Sequence, residues 1–193
     1  MDALYHAYPY PLNSTKSPNS TIHAFEPVPE LYEKVVNNTE SCRNIYCYPF
    51  ALGDCSSNAD FYISSGDSDG WSSLLLPNKH LIEHPGVRFD VSIRRVKTMT
   101  LESWAEANNV AYVYFLWLDM QGYELHALKS ACLLLSTVRA ICTQVSLKEM
   151  YHGALLYGER RQWLCEQGFR VHMEALPWED MGNVLFVRSS LQV

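Results

Sequence analysis

The apolar positions of this chain switch repeatedly between a continuous or two-residue period and a three-to-four-residue one, which predicts strands and helices in alternation. Residues 21–25 form a short apolar strand that stops at Glu26, and Pro27 and Pro29 punctuate the chain just beyond it. Pro29 suits the first turn of a helix. Leu31, Tyr32, Val35 and Val36 give that helix an apolar face, which fades at Asn37 and Asn38. A second strand is predicted over 45–52, closing at Gly53-Asp54, and alternation at Ala59, Phe61 and Ile63 predicts a third. Residues 64–73 read as a Ser/Gly/Asp loop. Residues 87–99 read as β structure, after which Thr100 caps a helix carrying Leu101, Trp104 and Ala105.

The strongest strand lies over 111–118, apolar throughout and ending in Asp119. Gly122 opens a helix with Leu125, Leu128, Cys132 and Leu135 at helical spacing. Residues 138–145 make another strand, and Leu156, Trp163 and Leu164 mark a further helix that Gly168 stops. Strands over 169–173 and 184–187 complete the pattern. Alternating strands and helices predict an α/β sheet covered on both faces. The continuously apolar strands predict that most of it is parallel, since both faces must be buried.

Composition narrows the function more than the fold. The 193 residues suffice for one domain with its own core. A net charge of −6 argues against a nucleic-acid-binding surface, which shows as a basic excess. The longest apolar run is too short to cross a bilayer, and no basic-then-apolar export signal opens the sequence. The default expectation is therefore cytoplasmic. Cys42, Cys47, Cys55, Cys132, Cys142 and Cys165 show neither a CxxC pair nor a metal-finger spacing and read mostly as buried thiols, with a disulfide among the first three left open. Asn-x-Ser/Thr triplets at Asn13, Asn19 and Asn37 would suit a secretory protein, so the compartment stays open.

In open α/β sheets, ligands bind beyond the carboxyl ends of the strands. Two apolar strands end there in an acid, Glu26 and Asp119. A carboxylate so placed can accept two hydrogen bonds at once, which suits a ribose diol or an ammonium group. The competing explanation is that each acid merely marks where a strand meets water.

Six segments in order then resemble one family. Ala24-Phe25-Glu26-Pro27-Val28-Pro29, Ala51-Leu52-Gly53-Asp54, Gly70-Trp71-Ser72-Ser73-Leu74 and Leu118-Asp119-Met120-Gln121-Gly122-Tyr123-Glu124 look like successive signatures of FkbM-type S-adenosylmethionine-dependent methyltransferases. Ala127-Leu128-Lys129 and Gly182-Asn183-Val184-Leu185-Phe186 continue the likeness. The resemblance implies a Rossmann-like methyltransferase sheet, mostly parallel with an antiparallel last strand, and a domain over 21–193. It implies S-adenosylmethionine as cofactor and O-methylation of a small-molecule, sugar or lipid-like acceptor. Carried over, Glu26 would hold the cofactor's ribose hydroxyls, and Ala51, Leu52 and Asp54 would lie near its adenine. Asp119 would face the methionine moiety or the acceptor, with the 70–73 loop above. No metal is implied. Methyl transfer is an in-line displacement that needs chiefly alignment, and an oxygen acceptor also needs a base, for which Asp119, Glu124 and His152 are the candidates.

The sequence departs from the family at several places. Gln121 stands where glutamate is usual, Ser130 replaces a common glycine, and Gln144 replaces a strand-end glutamate. No glycine precedes Gly53, so the glycine-rich turn after the family's first strand has no counterpart. Residues 1–20 accordingly read as a remnant of the first helix and a loop, with the first, central strand missing. Two rival readings arise. A degenerate or truncated methyltransferase fold acting as a non-catalytic binding module would tolerate these losses. His80-Leu81-Ile82-Glu83-His84 fits an inverted zinc-protease pattern, but Pro85 biases His84 away from the helix that pattern needs.

Overall fold

The computed structural model describes residues 2–6 and 20–191. Most of the Pro/Ser/Asn/Thr-rich segment that reads as a loop over 9–21, with Asn13 and Asn19, lies outside them. In chain order the elements are β1 (Asp2–His6), β2 (Thr21–Phe25), α1 (Pro29–Thr39), β3 (Ile45–Tyr48), β4 (Ala51–Leu52), β5 (Ser57–Gly66), α2 (His80–Glu83), β6 (Val87–Met99), α3 (Leu101–Ala107), β7 (Phe115–Leu118), α4 (Glu124–Lys129), α5 (Cys132–Leu135), β8 (Ala140–Ser146), α6 (Tyr157–Glu166), β9 (Phe169–Ala175) and β10 (Met181–Arg188).

Seven strands form one sheet in the order β3-β2-β1-β7-β8-β10-β9. Every neighbouring pair is parallel except those made by β10, which runs antiparallel to both β8 and β9. The chain moves outward in one direction through β1, β2 and β3, then returns to β7 beside β1 and moves the other way. The switch point of this open sheet therefore lies between β1 and β7, and its ligand crevice lies beyond the carboxyl ends of those strands. A second sheet, β4-β6-β5, stands apart from the first.

The expectation of a missing central strand needs correction. Residues 2–6, read as the tail of a helix, form a strand in the centre of the sheet, paired with β2 on one side and β7 on the other. The reason is non-local. The edges of β2 and β7 each present backbone donors and acceptors that must be paired when buried, and five extended residues satisfy both ladders. Nothing in the side-chain period of so short a segment records that demand.

The run read as one strand over 45–52 is also two strands in two sheets. Pro49 has no N–H to donate to a ladder, and the chain leaves β3 there and resumes in β4 against β6. The helix read from Gly122 onward breaks at Ser130-Ala131 into α4 and α5. Thr100 caps α3 as expected, its hydroxyl accepting the Ser103 N–H at 3.1 Å. The main core packs α3, α4, α5 and α6 against one sheet face, with Trp104, Leu116, Leu118, Leu128, Ile141 and Phe186 at its centre. The five cysteines whose side chains are described are free, and Cys55 and Cys165 are exposed rather than buried. Among the described residues, no helix is long and apolar enough to cross a membrane.

Candidate active site

The two strand-end acids are brought to one level. In the ladders, Tyr5 of β1 pairs with Ala24 of β2 and with Trp117 of β7. Glu26 and Asp119 each come two residues later, so they flank the carboxyl end of β1 at the same height. Adjacent strands lie about 4.8 Å apart, which puts the two backbones about 10 Å apart across the crevice.

Local chemistry fixes each acid. Beyond β2, the Glu26 N–H donates to Tyr48 O at 3.0 Å, and Glu26 Oε1 accepts the Val28 N–H at 2.8 Å, just before Pro29 starts α1. Glu26 is only 6% exposed. Burial, opposed by the Val28 hydrogen bond and reinforced by the nearby Asp69 carboxylate, pushes its carboxyl up to about 7. The segment read as a loop from residue 64 is strand as far as Gly66; Asp69 belongs to the loop that follows, so that loop does approach the acid at the mouth.

Asp119 follows β7 and enters a tight turn in which Gln121 (φ 51°) and Gly122 (φ 97°) both adopt left-handed conformations. Gly122 also has no room for a side chain, because a Cβ there would stand 2.9 Å from the Ala154 Cβ. The Gln121 side chain donates to Asp119 Oδ1 at 2.7 Å. Burial, aided by the Glu124 charge and opposed by the Gln121 amide, raises the Asp119 carboxyl to about 7. The departure at Gln121 thus has a physical consequence. An ionised glutamate could not donate to Asp119, whereas the amide supports its charged form.

Glu124 is turned the other way. Its Oε1 accepts the N–H groups of Met120 (2.9 Å) and Gly122 (3.3 Å), and its Oε2 pairs with the Arg160 guanidinium at 2.8 Å. Glu124 and Arg160 are 1% and 0% exposed. Arg160 also donates to Thr143 Oγ1 and to the Gln144 carbonyl, so it ties the turn to the end of β8. The sequence reading passed over Arg160. Its signal was present, since Leu156, Arg160 and Leu164 recur every four residues and place a cation in the apolar stripe of α6; such a cation needs a buried acid.

The remaining candidates are distributed around this centre. Ala51 and Leu52 are 1% exposed, and their side chains enter two different hydrophobic clusters. Burial raises the pKa of Tyr123, and exposed Asp54 beside its hydroxyl adds to that rise. The Ser130 hydroxyl donates to Gly53 O at 3.0 Å, so this departure from glycine ties α4 to the 51–54 segment. Buried Ser73 donates to Gln121 O at 2.9 Å and anchors the 70–73 loop on the Asp119 turn. His152 is exposed, next to Tyr151, whose hydroxyl donates to Trp71 O at 2.7 Å. His80 and His84 do not form an open metal centre. His84 Nε2 lies 2.7 Å from Asp180 Oδ2, and His80 is fully buried against Trp71, Phe89 and Tyr151 with both ring nitrogens unpartnered.

The mouth suits S-adenosylmethionine on its own electrostatics. Among the described residues neither Glu26 nor Asp119 pairs with a lysine or arginine, and burial raises both carboxyls to about 7. A diol at one would donate hydrogen bonds to the carboxylate, and an ammonium at the other would bring a positive charge.

The magnesium protoporphyrin IX methyltransferase (ChlM) from Synechocystis PCC 6803 with bound SAM matches with a TM-score of 0.52 at 8% identity, covering 98% of this chain and 70% of that one. The Methanococcus jannaschii fibrillarin pre-rRNA processing protein matches with a TM-score of 0.52 at 13% identity, covering 98% and 67%. These likenesses establish the Rossmann-like fold of S-adenosylmethionine-dependent methyltransferases. In sequence, the 2-O-methyltransferase NoeI of Sinorhizobium fredii (strain NBRC 101917 / NGR234) is 30% identical over 143 residues, 72% of this chain and 58% of that protein. The match thus spans little more than half of that relative's length. The family described as the methyltransferase FkbM domain matches residues 8–171, most of the chain, and the chain belongs to that family.

Proposed function

We propose that this chain transfers a methyl group from S-adenosylmethionine to an oxygen of a small-molecule, sugar or lipid-like acceptor. The observation that carries the reading is the pair of cation-free carboxylates, Glu26 and Asp119, level with each other across the switch point of the sheet. When bound, the cofactor supplies an electrophilic methyl group on a sulfonium centre. Glu26 orients the ribose through its carboxylate, whose Oε1 is already fixed by Val28. Asp119 stands on the methionine and acceptor side. With a pKa near 7 it is poised between its two protonation states at neutral pH, as a general base requires. Glu124 acts through the turn rather than on the reactants, because both its oxygens are engaged. His152, exposed beside Tyr151, is the other candidate base, and Ala51 to Asp54 offer backbone toward the adenine.

S-adenosylhomocysteine titrated calorimetrically into the chain, Glu26→Gln and Asp119→Asn tests this. Micromolar binding to the parent that weakens at least tenfold in each variant supports the assignment. A folded parent that gives no heat defeats it. The second reading, a non-catalytic binding module, is favoured by one observation: no glycine precedes Gly53 to line a turn after β1. It predicts cofactor binding at most, with no labelled methyl group appearing in any acceptor pool.

A further inference from the structure

A second hollow opens between α2 and β6. It is a cavity of about 590 Å³, within the ~300–1,000 Å³ usual for small-molecule sites. Tyr62, Pro77, Val87 and Phe89 are among the residues that line it. Leu76, Leu81 and Ile93 stand around it, and they are 48%, 51% and 59% exposed. Single exposed apolar residues need no explanation, but these come from a connecting strap, from α2 and from β6, and they converge on one hollow. The walls are built in advance: Pro77 is bridged to Tyr151, and Phe89 packs edge-on against both His80 (5.0 Å) and Tyr151 (6.3 Å).

One charge breaks the apolar lining. Arg88 is exposed at the cavity, and its guanidinium has no hydrogen-bond or ion-pair partner among the described residues. The neighbouring carboxylate of Asp67 packs over Gly86, where an added Cβ would lie 2.0 Å from its Oδ2. An apolar hollow with one uncommitted guanidinium is complementary to a chain that carries an anion.

We propose that this cavity binds an anionic amphiphile, its aliphatic chain in the hollow and its carboxylate or phosphate head group on Arg88. The site is independent of methyl transfer but adjoins it. Leu75, next to the lining residue Leu76, and Tyr151 would stand 3.3 Å and 3.7 Å from a Cβ at Gly122, so one layer of side chains separates cavity and turn.

Calorimetry on the full chain without cofactor tests the proposal, with hexanoate, octanoate and decanoate as probes and decanol and decylammonium as head-group controls. Affinity is expected to rise about fourfold per added methylene, and decanoate should bind about tenfold more tightly than decanol. Arg88→Gln should bring decanoate to the level of decanol and leave decanol unchanged. Leu81→Asp, at an exposed position, should abolish all binding while keeping the parent's circular dichroism and melting temperature. S-adenosylhomocysteine affinity, measured in the same samples, should be the same in both variants, so the two sites are scored separately. Binding that ignores chain length or head group, or that survives Leu81→Asp, overturns the proposal. So does affinity for phosphatidylglycerol vesicles without affinity for the free amphiphiles.

Discussion

Glu26 provides the sharpest quantitative expectation, because a buried acid that pairs with no cation among the described residues should weaken the folded protein. Its carboxyl moves from an ordinary 4.5 in the unfolded chain to about 7 in the folded one. Between those values the folded state keeps a proton that the unfolded state releases, so stability falls as pH rises from 4.5 to 7 and then levels off. A shift of that size corresponds to about 3 kcal/mol. Glu26→Gln removes the charge but keeps an oxygen to accept the Val28 N–H. The variant should therefore melt higher than the parent at pH 8, by about 5 to 10 °C for a chain of this size. At pH 4.5 the two should melt together. The assay is thermal unfolding by circular dichroism at half-unit steps from pH 4.5 to 8.5, with S-adenosylhomocysteine affinity measured alongside. A gain in stability joined to a loss of affinity is the signature of an acid kept for a ligand. A variant that melts lower at pH 8, or a difference that does not change with pH, refutes the reasoning.

Two further outcomes are expected from buried groups. Arg160→Met should cost about 3 to 5 kcal/mol in urea unfolding, because it strands the fully buried Glu124 carboxylate; the double variant with Glu124→Gln should recover part of that, and failure to recover would show that the pair does not act as a unit. His80 sits in an aromatic cage that, with the His84 charge, lowers its pKa from 6.5 to about 4, so its share of stability is present above pH 6.5 and drains away as pH falls towards 4. His80→Phe should exceed the parent by about 2 kcal/mol at pH 5, and the gap should narrow by pH 7.5; a gap independent of pH would sink this account.

Which parts of the fold were legible in the sequence depends on how local their causes are. Thr21–Phe25 and Val87–Met99 match their predicted limits because punctuating residues or a helix cap bound them on the spot. The strand read over 111–118 begins only at Phe115. Upstream, Val113 N–H is drawn to Thr137 Oγ1 at 2.9 Å and Tyr114 O accepts from Arg139, partners set by the approach of a distant segment. The split of 45–52 was half legible, since Pro49 marks where the ladder must end but nothing local says that β4 joins a second sheet. β1 was not legible at all, because its strand state answers two edges supplied by residues 21–25 and 115–117.

The site divides along the same line. Acids at strand ends can be found by reading, but what distinguishes them is which cation reaches them, and that is settled by tertiary packing. Asp119 and Glu124 belong to one short turn and carry the same charge. Arg160, 36 residues beyond Glu124, pairs with Glu124, its one acidic partner among the described residues, and makes it a brace for the turn. Among the described residues Asp119 receives only the neutral amide of Gln121, and burial keeps its pKa near 7. If Arg160 instead reached Asp119, the mouth would hold a neutralised pair with nothing to offer an ammonium or an acceptor hydroxyl. By anchoring Arg160 on Thr143 and the Gln144 carbonyl, the fold keeps the positive charge on the inner acid and leaves the outer one uncommitted. That division, more than the presence of either carboxylate, is what distinguishes the two acids at the end of β7.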